Sequence, residues 1–339
     1  MINTQKGSIS AFQDKRVRFY QKRNFKKNVF IFTLLVWPIL HFTVFWVYVN
    51  GRTFLLMFQA FDRYGTITGK PMSYYFVGFD KFITIIKYFF ASPENGGDIV
   101  LRRAMWNSLS ALPLNVCIIL PIAYISAFVL FKKIKGASFF RVVFYLPSMI
   151  SIVVLTMQYK YMFDNRFGPL YMLIKAVFGY APDSYFGVVA HSDTIWPLIY
   201  TYCVWAGLGM NVILLSGAMS RIPPEVLEYG KLDGIGFWRE CFQVVLPLTW
   251  PTISTLIVLG TMSVFGFTMQ PYLLAGAGGG YQGQTMTISL YIFTIITHSY
   301  SQQLATQAAT IGTVFSVLGI PFVFLIKHLT EKPWKDVEF

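Results

Sequence analysis

Apolar runs long enough to cross a bilayer alternate along this chain with short charged interruptions. A spanning helix needs about 20 mostly apolar residues, so charge-free stretches locate the candidates. The first runs from Asn28 to Gly51, the second from Ala104 to Phe131, the third from Val142 to Tyr159 and the fourth from Thr194 to Ser220. Beyond Glu240 no Asp, Glu, Lys or Arg appears until Lys327, too long a stretch for one helix, and the glycine cluster Gly276-Ala277-Gly278-Gly279-Gly280 divides it. A fifth span is placed near Leu246 to Pro271 and a sixth near Gln307 to Ile326. Two shorter apolar runs, Phe82 to Phe90 and Met286 to Thr297, fall below spanning length and read as interfacial or re-entrant helices on the outer side. The pattern predicts an all-α integral membrane protein of six transmembrane helices.

Composition agrees, because 55% of the 339 residues are hydrophobic and only 13% charged, too few for the surface of a soluble protein. The net charge of +13 is concentrated beside the apolar runs. Lys6, Lys15, Arg16, Arg18, Lys22, Arg23, Lys26 and Lys27 precede the first run, and Lys132, Lys133, Lys135 and Arg141 separate the second from the third. That placement points to lipid headgroups rather than nucleic acid, and it puts both termini and the 132–141 and 221–240 loops in the cytoplasm. The first outer loop, with seven basic residues against four acids, runs against this vote. The first run is too long for a signal-peptide core and lacks a cleavage pattern, so it reads as an uncleaved anchor. The expected organisation is a basic tail over 1–27, a first helix over 28–51, and an outer loop with an interfacial helix over 52–103. A core of five helices over 104–329 and a cytoplasmic tail over 330–339 complete it.

The longest inner loop, 221–247, has the composition of a helix, a bend and a second helix outside the membrane. Pro223 and Pro224 stop the preceding span and suit the first turn of a new helix. Glu225 and Glu228 fall near its start, where carboxylates meet the positive end of the helix dipole. Gly230, Gly234 and Gly236 interrupt it, and a segment with Phe237, Trp238 and Phe242 leads into Leu246-Pro247.

This loop resembles the Glu-Ala-Ala motif of permease subunits of ATP-binding-cassette (ABC) importers, the binding-protein-dependent transporters of the maltose and oligosaccharide type. The motif falls on Glu228-Tyr229-Gly230, its later glycine on Gly234 and its closing Leu-Pro on Leu246-Pro247, with Tyr229 and Gly230 replacing the two alanines. Weaker likenesses are Val77-Gly78-Phe79-Asp80-Lys81-Phe82 in the outer loop, Trp106-Asn107-Ser108-Leu109, Tyr145-Leu146-Pro147 and the outer turn Leu273 to Gly279 with Thr285. The resemblance implies that Glu228, Tyr229, Gly230, Asp233, Gly234, Leu246 and Pro247 form a coupling helix seated in a groove of a separate ATPase. It further implies a second homologous permease, two ATP-binding subunits, an extracytoplasmic sugar-binding protein, and a bacterial cytoplasmic membrane as location. ATP and magnesium would then belong to the partner, with no cofactor and no catalysis in this chain.

The sugar path implied by the resemblance lies in span four at Trp205, Gly207, Met210 and Asn211, and in span five at Ser263, Phe267 and Gln270 with Gly260 nearby. Helical spacing would put Ser263, Phe267 and Gln270 on one face, and an aromatic beside hydrogen-bonding groups suits a sugar. Ordinary helix packing explains Trp205 and Phe267 equally well, and Gly207 and Gly209 suit close helix contact. The glycine cluster lacks the Gly-Lys-Ser/Thr of a nucleotide loop and reads as a flexible outer turn. His41 and His298 stand alone by the apolar runs, and the spans hold no carboxylate of the kind a proton-coupled carrier uses. Cys117, Cys203 and Cys241 encode neither a disulfide framework nor a zinc site. From the residues alone, a secondary carrier or a channel remains the competing reading.

Overall fold

Where the charge-free runs were long, helices form, and their ends and breaks follow local chemistry. The computed structural model describes residues 25–91, 94, 97–179, 193–298 and 302–331. Six residues of the basic tail (Lys6, Lys15, Arg16, Arg18, Lys22 and Arg23) and the last eight positions, with Lys332 and Lys335, lie outside the described residues.

Helix α1 covers Phe25–Leu56, and none of the residues in its most apolar window is buried within this chain. The outer loop then forms a feature the sequence reading missed, a two-stranded antiparallel ribbon of β1 (Gln59–Asp62) and β2 (Ser73–Phe76), with Gln59 opposite Phe76 and Asp62 opposite Ser73. The amphipathic helix expected at Phe82 to Phe90 follows as α2, Asp80–Phe90.

Helix α3, Ile99–Phe131, begins where Asp98 accepts bonds from the Val100 and Leu101 amides and runs unbroken for 33 residues. The expected third span is instead two helices, α4 (Ala137–Met149) and α5 (Ile152–Met162), bent by 101°. Pro147 removes an amide and crowds the carbonyl one turn back, and Ile150 and Ser151 take extended conformations between the helices. Helix α6 (Pro169–Phe178), not anticipated, leads towards α7, Ile195–Met219. Helix α8 (Pro224–Leu232) lies between α7 and α9, Phe237–Ser263. The expected fifth span therefore starts earlier and stops earlier, since a turn follows Ser263 and α10 (Met269–Ala275) is a separate short helix. Helix α11, Ile288–His298, is 11 residues long, or about 16 Å at 1.5 Å per residue, and too short to span. The last helix, α12, covers Gln302–Glu331.

Three described helical segments widen to π geometry, and two of them precede a proline. Leu114–Ile119 in α3 ends two residues before Pro121, and Glu240–Val245 in α9 ends two residues before Pro247. A π turn displaces the carbonyl that the proline ring would otherwise strike, so both helices pass through their prolines intact.

Packing centres on α7, which lies against the second half of α3 and against α4, while α9 packs on α7 and α12. Glycine makes the closest approach possible: a Cβ at Gly209 would stand 2.3 Å from the Phe144 carbonyl oxygen of α4. A buried core of Leu120, Phe128, Val212, Leu215, Cys241, Val245 and Ile257 joins α3, α7 and α9. A second core joins Leu155, Tyr159, Ile199, Tyr202 and Leu274 from α5, α7 and α10. Among the described residues, five helices, or six counting the bent pair as one, are long and apolar enough to cross a membrane.

Candidate functional site: a central cavity and an exposed polar helix

Two features stand apart from the packed core. The first is a cavity of about 380 Å³ where α3, α4, α5, α7 and the end of α9 converge. Three of its walls carry an irregularity: Asn115 and Ile119 come from the π turn of α3, Pro147 to Ile152 from the bend, and Gly266 and Phe267 from the turn after Ser263, with Gln270 in the first turn of α10. Irregular backbone at membrane depth is tolerated where it lines a cavity. Tyr202, Cys203, Ala206 and Gly207 of α7 close it.

Four of the seven expected path residues, Gly207, Ser263, Phe267 and Gln270, line this cavity. The last three meet there through a turn, not through helical spacing, because the helix ends at Ser263 and the Gly266 amide bonds back to its carbonyl at 3.0 Å. Trp205, Met210 and Asn211 do not line it. Trp205 stacks on Tyr159 with ring centroids 6.2 Å apart, Met210 is 54% exposed on the bundle surface, and the Asn211 amide donates to the Gly207 carbonyl at 2.9 Å. Sequence reasoning missed Asn115, Ser148, Tyr202 and Cys203. Only Asn115 carried a signal, as an amide inside an otherwise apolar run. Its Oδ1 lies 2.3 Å from where a Cβ on Gly260 would be, so Gly260 gives Asn115 its place against α9.

The segment after the glycine cluster is tied down more firmly than a flexible turn. The Asn107 amide donates to the carbonyls of Gln284 and Met286 at 2.8 and 2.7 Å, the Trp196 indole to that of Gln284 at 3.2 Å, and the Thr287 hydroxyl to that of Phe267 at 2.5 Å.

The second feature is α8, outside the spans. Pro224 opens it and Glu225 lies in its first turn. Val226 and Leu227 pack on the core of α3, α7 and α9. Glu228, Tyr229, Leu232 and Asp233 face away, with Tyr229 69% and Leu232 82% exposed. The helix ends in a Schellman motif: Gly234 takes φ +72°, the Ile235 amide donates to the Gly230 carbonyl at 3.0 Å, and the Gly234 amide to the Lys231 carbonyl at 3.1 Å. Leu246 and Pro247 are half-buried and lie inside α9, so they continue the span rather than close a loop.

A bundle of broken and continuous apolar helices around a largely apolar cavity with a few polar groups, with an exposed amphipathic helix between two spans, fits a membrane permease. The chain belongs to the family of binding-protein-dependent transport system inner membrane components, which matches residues 119–335. It is 31% identical over 237 residues to a "Probable ABC transporter permease protein" of Mycoplasma genitalium, a match covering 67% of this chain and 66% of that protein's own length. It is 24% identical over 325 residues to a diacetylchitobiose uptake system permease protein of Streptomyces coelicolor, covering 91% of this chain and 85% of the relative. In fold it matches a chain of a bacterial ABC transporter that imports the acidic polysaccharide alginate, with a TM-score of 0.73 at 19% identity, over 92% of this chain and 98% of that one.

Proposed function

We propose that this permease carries an oligosaccharide into the cytoplasm by alternating access, paired with a second homologous permease and driven by two ATP-binding subunits. An extracytoplasmic binding protein delivers the sugar, and ATP and magnesium are bound by the partner ATPase. The observation that carries the reading is α8: an amphipathic helix pinned to the bundle by Val226 and Leu227, presenting Glu228, Tyr229 and Leu232 outward, and ended by a glycine in the left-handed region.

In this reading Glu228, Tyr229, Gly230, Asp233 and Gly234 form the contact with the ATPase, and Leu246 and Pro247 pass its motion into α9. The α8 end of the bundle and both termini face the cytoplasm, supported by Lys132, Lys133, Lys135 and Arg141 at that end. An oligosaccharide suits the cavity because Asn115, Ser148, Tyr202, Ser263 and Gln270 offer hydrogen bonds beside the Phe267 ring. The diacetylchitobiose, multiple-sugar and maltose systems named for its relatives point the same way.

The test is uptake of labelled chito- and malto-oligosaccharides by cells carrying the whole transporter, measured beside ATP hydrolysis. Glu228→Lys and Gly234→Val are expected to abolish uptake while the permease still inserts. Unchanged uptake in both variants would overturn the assignment of α8, and uptake that survives loss of ATPase activity would overturn the ATP-driven reading.

A further inference from the structure

The polar return arm of α9 is fastened to a single stripe on α3. Tyr124, Phe128 and Lys132 recur every fourth residue and so share one face of the last turns of α3. Each holds a residue of the arm. The Tyr124 hydroxyl donates to the Cys241 carbonyl at 2.7 Å. The Phe128 ring meets the Phe237 ring at 5.0 Å between centroids. The Lys132 ammonium pairs with the carboxylate of Glu240, a side chain only 8% exposed at the start of the π turn. That ammonium also sits 5.5 Å from the centre of the Phe128 ring, so the ionic and aromatic contacts form one unit.

Helix α3 is also a wall of the cavity, through Ala111, Asn115 and Ile119. Seventeen residues separate Lys132 from Asn115, about 25 Å of helix at 1.5 Å per residue. Helix α8 enters α9 directly, so α9 alone could carry its motion; the stripe gives α3 a second connection to the same arm.

We propose that the Lys132–Glu240 pair is a positioning device that makes α3 move with the coupling arm, so that the ATP-driven displacement reaches the Asn115 wall as well as the Ser263 wall. The pair touches neither sugar nor ATPase and acts through the two helices that it joins. Burial makes it effective: a half-broken pair leaves a charge without its partner in a water-poor site, so the two groups stay together or the arm leaves α3. The proposal rests on the permease reading above.

Native Cys203, which lines the cavity, provides the readout. The complete transporter in proteoliposomes is treated with N-ethylmaleimide, with and without ATP and vanadate, and Cys203 modification is followed by peptide mass spectrometry. The nucleotide is expected to change the Cys203 labelling rate in the unaltered transporter. In Glu240→Gln, which keeps the side-chain volume and drops the charge, that nucleotide-dependent change should shrink at least about fivefold, the lower end of ordinary coupling between two sites. The reversed pair, Lys132→Glu with Glu240→Lys, should restore it to within about twofold, which a purely structural role for either residue alone would not produce. A Glu240→Gln transporter with a full nucleotide response overturns the proposal, and so does an assembled reversed pair with none. If the unaltered transporter shows no nucleotide response at Cys203, the alternating-access reading of this cavity fails and the proposal with it, an outcome distinct from a Glu240→Gln transporter that keeps the full response.

Discussion

Asp62 shows how much one side chain can organise. It is buried beneath the tip of the β1–β2 ribbon, where its carboxylate accepts from the amides of Thr68, Ile67, Gly65 and Thr66 at 2.9, 2.8, 2.9 and 3.2 Å. These bonds, that from the Thr68 amide foremost, hold its pKa well below the usual carboxylate range against the opposing effect of burial. A carboxyl with a depressed folded pKa stabilises the loop above its unfolded pKa of about 3.9, and that contribution is lost only as pH falls through the lower folded value. The Ile67 and Thr68 amides should therefore remain protected from hydrogen exchange at pH 4. Asp62→Asn should expose them at neutral pH; equal protection in both proteins would refute this. Residue types alone did not reveal the ribbon, because its strands are only four residues each and the turn between them is organised by this one acceptor rather than by a turn motif. The helix end at Gly234 was legible, since capping chemistry is local: the φ of +72° there is what a helix-ending glycine announces. Asn115 was legible only as an amide in an apolar run, because its place in the cavity depends on Gly260 of another helix.

At the level of helices, the same dipeptide occurs in two settings. Leu120-Pro121 and Leu246-Pro247 lie in continuous helices behind π turns, whereas Leu146-Pro147 lies in the last turn of α4, just ahead of the 101° bend at Ile150–Ser151. Span lengths could be read from charge-free runs because hydrophobic length is a property of the segment itself. Where a helix bends or ends depends on neighbours, so neither the bend within the third apolar run nor the helix end at Ser263 was legible in the sequence. Close approach works the same way: Gly209 presses on the Phe144 carbonyl at a separation no side chain allows. Gly209→Ala should force α4 and α7 apart and cost about 1–3 kcal/mol, as other overpacked sites do. Thermal unfolding of the purified protein in detergent is the measurement, and an unchanged midpoint would contradict the packing.

For the molecule as a whole, the cavity is the consequence of three helical defects meeting at one place: a π turn, a bend and a helix end. The sequence displayed residues of that place without showing that they meet: Gly207, Ser263, Phe267 and Gln270 line the cavity, whereas Trp205, Met210 and Asn211 lie elsewhere on α7. Gly260→Val is expected to push Asn115 into the cavity and abolish oligosaccharide uptake, while the permease still inserts and co-purifies with its ATPase. Transport at an unaltered rate would show that this cavity is not the path.

The π turn at Glu240–Val245 also fixes a rotational phase. Such a turn amounts to one residue inserted into an α-helix, and each α-helical residue advances the chain by about 100°. The angle at which the arm carrying Phe237 and Glu240 faces α3 is therefore set, relative to the cavity end at Ser263, by a single extra residue. Shortening this stretch by one position would leave composition and hydrophobic length almost intact, yet would swing the arm by about a quarter turn. Insertions and deletions here should be tolerated far less than substitutions.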